Sequence, residues 1–148
     1  MKFEAYEDIE VNDDFTVFGF ISTGENGDIP KRVVFTKTKW NKVYSLSFGD
    51  VNEDDEIDYY SISNNGDRNK ILVTIFNIAG DYTKRFPEHW ISFTGSTTQR
   101  TRLYRMALGL HLEELSDIFK IYAYVDGKVV PFVKNMKINA FLIKRKKL

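Results

Sequence analysis

WISFTGSTTQRTRLYRM, residues 90–106, decides how the rest of the chain is read. WISFTG (90–95) is a short β-rich apolar run, the mark of a buried strand, and Gly-Ser-Thr-Thr breaks it. Ser96 followed three residues later by Gln99 fits a capping box, in which two side chains satisfy two orphan backbone N–H groups reciprocally. Leu103, Met106, Ala107 and Leu110 then fall on one face at 100° per residue, which predicts an amphipathic helix. Leu108 lies off that face, so the helix is expected to be covered on more than one side.

Working outward, Ile71, Leu72, Ile75, Ile78, Ala79 and Tyr82 recur at three- and four-residue spacing and predict an earlier helix. Asn65 or Asp67 can cap it, and it ends near Phe86 because Pro87 disfavours the α conformation in the residue before it. Before it, FTVFGFIS (15–22) and KRVVFTKT (31–38) flank TGENGDIP, whose Asn-Gly reads as a hairpin loop. VYSLSFGDV (43–51) alternates with a period of two, and EIDYYSIS (56–63) looks like a further strand. After the second helix, HLEELSDIF (111–119) extends it or adds a short turn. KIYAYV-DG-KVVPF (120–132) is a type I′ hairpin signal with Pro131 marking an edge strand, and INAFLIKRK (138–146) closes the chain as a strand.

The pattern predicts an α+β fold: a mostly antiparallel twisted sheet, with an N-terminal meander and a C-terminal hairpin, packed against two main helices. It also admits a central βαβαβ unit, in which EIDYYSIS, WISFTG and KIYAYV share a sheet and each helix is a right-handed crossover. The loops SNNGDR and TGSTTQR would then open at one sheet edge, where helix N-termini offer backbone N–H groups to ligands.

At 148 residues the chain is expected to form one domain over residues 1–148. The absence of cysteine excludes disulfide and thiolate chemistry, and with only His89 and His111 a zinc site would need carboxylates. MKFEAYEDIE has no apolar signal region, and no run approaches the roughly 20 apolar residues of a membrane span. A cytoplasmic location and no membrane association are the expectation. DVNEDDEID (50–58) invites comparison with a calcium loop, but Asp55 stands where glycine is needed and Ser61 where a bidentate Glu belongs. GxSxG, GxxxxGK[ST], GxGxxG and HExxH are all missing, so no cofactor is implied.

A net charge of zero hides a polarity: residues 1–66 hold 14 acids and 6 bases, residues 67–148 hold 7 acids and 15 bases. From Lys128 onward there are seven bases and no acid. Such asymmetry marks an anionic partner, unless the two halves fold against each other and the charges pair.

The arginines at the start of the second helix sharpen this. A cation at a helix N-terminus costs about 0.3–1 kcal/mol, which a bound anion would reverse; the effect fades past the first turn, with Arg100 at the edge of its range and Arg102 and Arg105 beyond it. Glycine allows close backbone approach, hydroxyls donate, and guanidinium forks suit phosphate or carboxylate. The expected anion ligands are Asn65, Arg68, Gly95, Ser96, Thr97, Thr98, Arg100, Arg102 and Arg105. The competing account is that these arginines solvate or pair with acids, since Arg102 and Arg105 stand about 200° and about 140° from Arg100 around the helix. His89 in PEHW reads as a loop or C-cap residue, and His111 as a partner on a helix face. Glu113 and Glu114 are adjacent, so their side chains diverge and cannot share a proton across a substrate.

VYSLSFGD, SNNGDRNKILVTI, FTGSTTQRTRLYRM and AFLIKRK together resemble a family of small bacterial proteins of unknown function, over most of the chain from Val43 onward. The resemblance implies a cytoplasmic bacterial single domain and carries over no activity, cofactor or catalytic residue.

Three functions follow. The first is a non-enzymatic module binding nucleic acid or a phosphate-bearing ligand through both helix starts, with Lys144 to Lys147 as further bases and Tyr104 and Trp90 as stacking surfaces. The second is an enzyme acting on a nucleotide or other phosphorylated substrate, with Asp67 or the tyrosines near Gly95 as candidates for the general base. The third is a protein–protein adaptor of a toxin–antitoxin or defence type, using the oppositely charged halves. The oligomeric state is not legible in the sequence.

Overall fold

The computed structural model describes residues 4–59, 63–94 and 97–147. Strands β1 (Glu10–Val11), β2 (Val17–Gly24), β3 (Gly27–Lys37) and β4 (Val43–Val51) form the antiparallel meander. Gly27, at φ 87°, takes the left-handed position that closes the β2–β3 loop. EIDYYSIS does not make a full strand: β5 is Ile57–Asp58, and residues 60–62 of that run lie outside the described residues. The turn before it is built by Asn52, whose side-chain oxygen accepts from the backbone N–H of Asp54 and Glu56, while Asp55 takes φ 60°. This Asx-type turn folds β5 back on the end of β4.

Helix α1 (Arg68–Arg85) leads to β6 (Trp90–Phe93), and α2 (Thr98–Leu110) and α3 (Leu112–Ile118) lead to β7 (Phe119–Val125). The hairpin partner β8 (Lys128–Pro131) and β9 (Ala140–Arg145) complete the sheet. Asp126 and Gly127 both have positive φ, 49° and 81°, as a type I′ turn requires. Pro131 sits in the edge strand, where a missing N–H is harmless.

The sheet order is β1-β2-β3-β4-β6-β9-β7-β8, with β5 paired to β4. The parallel neighbour of β6 is therefore β4 and not the EIDYYSIS run, and β9 inserts antiparallel between β6 and β7. A βαβαβ path exists, β4–α1–β6–α2/α3–β7, but only its first two strands touch. Both crossovers step the same way along the sheet, so one hand puts both helices on one face. The contacts agree: Tyr82 of α1 stacks on Phe35 of β3 (3.9 Å between ring centres), and Tyr104 of α2 meets Phe93 of β6 (6.0 Å). The core lies between this face and the helices, with Val33, Ile91, Ala123 and Phe141 fully buried.

The N-cap of α2 is Thr97, whose hydroxyl accepts from the Arg100 backbone N–H at 3.2 Å, and Ser96 of the expected Ser96–Gln99 capping box lies outside the described residues. One local expectation is corrected. The buried face of α2 is rotated: Ala107 and Leu108 are buried, while Met106 and Leu110 are exposed. Tyr104 at i, Ala107 at i+3, Leu108 at i+4 and His111 at i+7 make one stripe, and the aromatic ring and the imidazole carry the periodicity that aliphatic residues alone misassign.

Candidate anion-binding cleft at the start of α2

Because β4, β6 and β7 run in one direction, their carboxyl ends and the amino ends of α1 and α2 lie toward one edge of the sheet. Near the β9–β7 end of that edge is a cleft of about 530 Å³, lined by Thr98, Thr101, Arg102, Arg105, Val125, Asp126, Lys137, Ile138 and Asn139. Three cations face one carboxylate there. Arg105 donates to the Met136 carbonyl at 3.5 Å, which draws the 136–139 loop toward the helix. Thr94 binds that loop too, donating to the Asn139 carbonyl at 3.0 Å, and pairs with the Thr101 hydroxyl at 3.1 Å. Asn139 accepts from the Asp126 N–H at 3.1 Å, so the hairpin turn, the loop and α2 form one rim.

The other residues expected at an anion site are placed differently. Thr97 caps α2 beside the cleft, and Gly95 and Ser96 lie outside the described residues. Arg100 turns the other way and donates to the Tyr59 carbonyl. Asn65 is buried: its side-chain oxygen accepts from Asn26 N–H at 2.7 Å, and its amide donates to Gly27 carbonyl (2.9 Å) and Ser22 Oγ (3.1 Å). It ties the start of α1 to the β2–β3 hairpin. Arg68, the first residue of α1, is exposed on that side. Strands spaced about 4.8 Å apart put β2 about 19 Å from β9, so Asn65 and Arg68 do not converge with Arg102 and Arg105.

Asp67 occupies the N-cap position of α1 without capping it. Its carboxylate accepts from the Tyr6 hydroxyl and from Ser22 Oγ (2.5 Å), and so holds the N-terminal segment against the helix. Beside this network Lys31, 4% exposed, pairs with Asp50 across β3–β4 and donates to Ser63 Oγ at 2.7 Å. A bare ammonium would not tolerate this burial, and the ion pair with its extra hydroxyl compensates the lost water.

The basic tail is divided. Arg145 turns inward and donates to Gly80 carbonyl at 2.6 Å, near the end of α1, while Lys144 and Lys147 each lie 3.9 Å from Glu88. His89 is stacked between Tyr44 (4.1 Å) and Phe86 (4.9 Å) and hydrogen-bonded to Tyr82 (2.8 Å). Burial, then Lys42, holds its pKa below the ordinary 6.5, while burial and then Tyr44 push Tyr82 up to about 12. This cluster packs the foot of α1 on the sheet.

Lys137, Asp126 and Asn139 escaped the sequence reading of the site. The acid-free run from Lys128 onward carried a signal for Lys137, but nothing in it marks the 136–139 loop as a neighbour of α2. Among the described residues no group of three or more His, Cys, Asp or Glu could hold a metal, and no helix is long and apolar enough to cross a membrane.

One family, described as a family of unknown function (DUF6934), matches residues 2–146, so the likeness takes in the N-terminal meander as well. No curated protein and no solved structure matches the chain.

Proposed function

We propose, for a chain that belongs to the family DUF6934, a role as a non-enzymatic binding module of the bacterial cytoplasm that takes a phosphate-bearing partner, nucleic acid above all, in the cleft at the start of α2. The observation that carries this reading is the gathering of Arg102, Arg105 and Lys137 around one cleft opposed only by Asp126. The cleft opens at the carboxyl edge of the parallel strands, where α2's dipole and first-turn N–H groups favour an anion. Arg102 and Arg105 stand past the first turn of α2, so the dipole costs them little. What an anion would relieve is the mutual repulsion of three cations gathered on one cleft.

The test is anisotropy of a labelled mixed-sequence oligonucleotide across a salt series. Three phosphate contacts on a single strand give a log K against log salt slope of about −2, and Arg102→Ala lowers the slope by about 0.7. No binding at low salt, or an unchanged slope in Arg102→Ala and Arg105→Ala, contradicts the reading.

The adaptor reading has one observation in its favour. Met106 and Leu110, four residues apart on α2, are 55% and 61% exposed. Light scattering across a concentration series tests it: a larger species that Met106→Ser abolishes would favour self-association over nucleic acid.

A further inference from the structure

Both crossovers pack on one face, and the opposite face of the sheet carries no helix among the described residues. In an antiparallel sheet of this kind the outward positions are ordinarily polar. On the β6–β9–β7 part Ser92, Lys120 and Lys144 share the outward face with large aromatic and aliphatic side chains. Register puts Trp90, Leu142, Tyr122 and Tyr124 outward, opposite to the buried set Ile91, Phe141, Ile143 and Ala123. Trp90 and Tyr122 lie 5.5 Å apart, ring to ring, and Tyr124 is 41% exposed. The charged outward residues of these strands are Lys120 and Lys144, the second with its ammonium 5.4 Å from the Trp90 ring. The outward positions of these strands hold no carboxylate; Glu88 lies 3.9 Å from Lys144, and Asp126 is in the hairpin turn.

We propose that this open face is a stacking platform for the bases of a single-stranded nucleic acid whose phosphates enter the cleft at the start of α2. The inference rests on the proposed function and names the partner of that site. Aromatic faces interleaved with lysines and free of outward carboxylates fit a polyanion that carries flat, apolar bases. A duplex does not fit, because its bases are already stacked on each other and offer no free face. The cleft lies on the helix side and the platform on the other, and both reach the end of β7: Asn139, which lines the cleft, donates its backbone N–H to the Tyr124 carbonyl at 2.9 Å, so the strand position that carries Tyr124 adjoins the cleft. Tyr122 and Tyr124 are separated along β7 by about 7 Å, which leaves each ring its own base.

The experiment compares a labelled mixed-sequence single strand with an abasic strand of equal length, which keeps the phosphates and lacks the bases. The single strand binds more tightly than the abasic one. Tyr124→Thr and Tyr122→Thr each weaken the base-bearing strand about tenfold and leave the abasic strand unchanged, whereas Arg102→Ala weakens both. In Trp40→Phe protein the remaining tryptophan, Trp90, is quenched by the base-bearing strand alone, a readout that needs no tyrosine variant to fold. Equal affinity for both strands, with no quenching, overturns the platform and leaves the cleft standing. Binding of neither strand at low salt overturns both. A concentration-dependent dimer lost in Tyr124→Thr identifies the face as a protein interface and also overturns the platform.

Discussion

Gly24 and Asn65 meet so closely that a Cβ on Gly24 would stand 1.9 Å from the Asn65 carbonyl oxygen. That contact is backbone to backbone, so no rotamer change relieves it. Gly24→Ala must push the loop before α1 off the β2–β3 hairpin and break the Asn65 hydrogen bonds. Urea unfolding should show a loss of at least about 2 kcal/mol; a loss below about 0.5 kcal/mol would mean that the loop is not held there. The two histidines set a pH dependence. Burial holds His89 and His111 below their ordinary 6.5, with Lys42 helping at His89 and Glu114 opposing at His111. A histidine whose value is lowered by folding takes up its proton in the unfolded chain first as pH falls. The stability that depends on the neutral rings is thus complete above 6.5 and is lost as pH drops below it through the folded values. Melting followed by circular dichroism should show this fall, and His89→Phe, which keeps the ring stack, should reduce it to the share of His111. A melting temperature that does not change across that window contradicts the assignment.

Among the elements, the β3–β4 ladder holds the sharpest energetic contrast, the buried Lys31–Asp50 pair. Asp50→Ala leaves the ammonium with the Ser63 hydroxyl as its remaining hydrogen-bond partner among the described residues and should cost about 3–5 kcal/mol by urea unfolding. A surface pair such as Arg32–Asp55, whose acid is 82% exposed, should cost under about 1 kcal/mol when broken. Equal losses would contradict the burial. Elements were legible where their signal is local. The Asp126–Gly127 turn, the α1 periodicity and the Pro87 stop need no distant partner. The placement of β9 between β6 and β7 is not legible in the sequence, because it rests on pairings between distant segments that no local pattern encodes. The rotated face of α2 was hidden for a related reason. Tyr104 and His111 belong to the buried stripe only because Phe93 and Phe76 lie opposite them.

At the scale of the molecule, the polarity of charge becomes a spatial one only in part. Glu88 draws Lys144 and Lys147, and Arg145 turns into the fold, so the basic C-terminal run is not one continuous stripe. What it contributes to the cleft is Lys137, brought beside Arg102 and Arg105 by the 136–139 loop. The sequence singles out α2's amino end, and Arg102 and Arg105 line one cleft there, whereas no pattern in it shows that α1's amino end, with Asn65, is anchored across the sheet. Two helix starts shared an edge in the topology without sharing a ligand pocket, since α1 begins over β2 and α2 near β9.

Whether the α2 cleft takes phosphate groups is decided by amide chemical-shift mapping on titration with a short single-stranded oligonucleotide. Perturbed amides are expected to cluster at Thr98–Arg105 and Lys137–Asn139, while those around Asn65 and Arg68 stay fixed. Perturbations centred on the start of α1, or none at low salt with the oligonucleotide in excess, would contradict phosphate binding in that cleft.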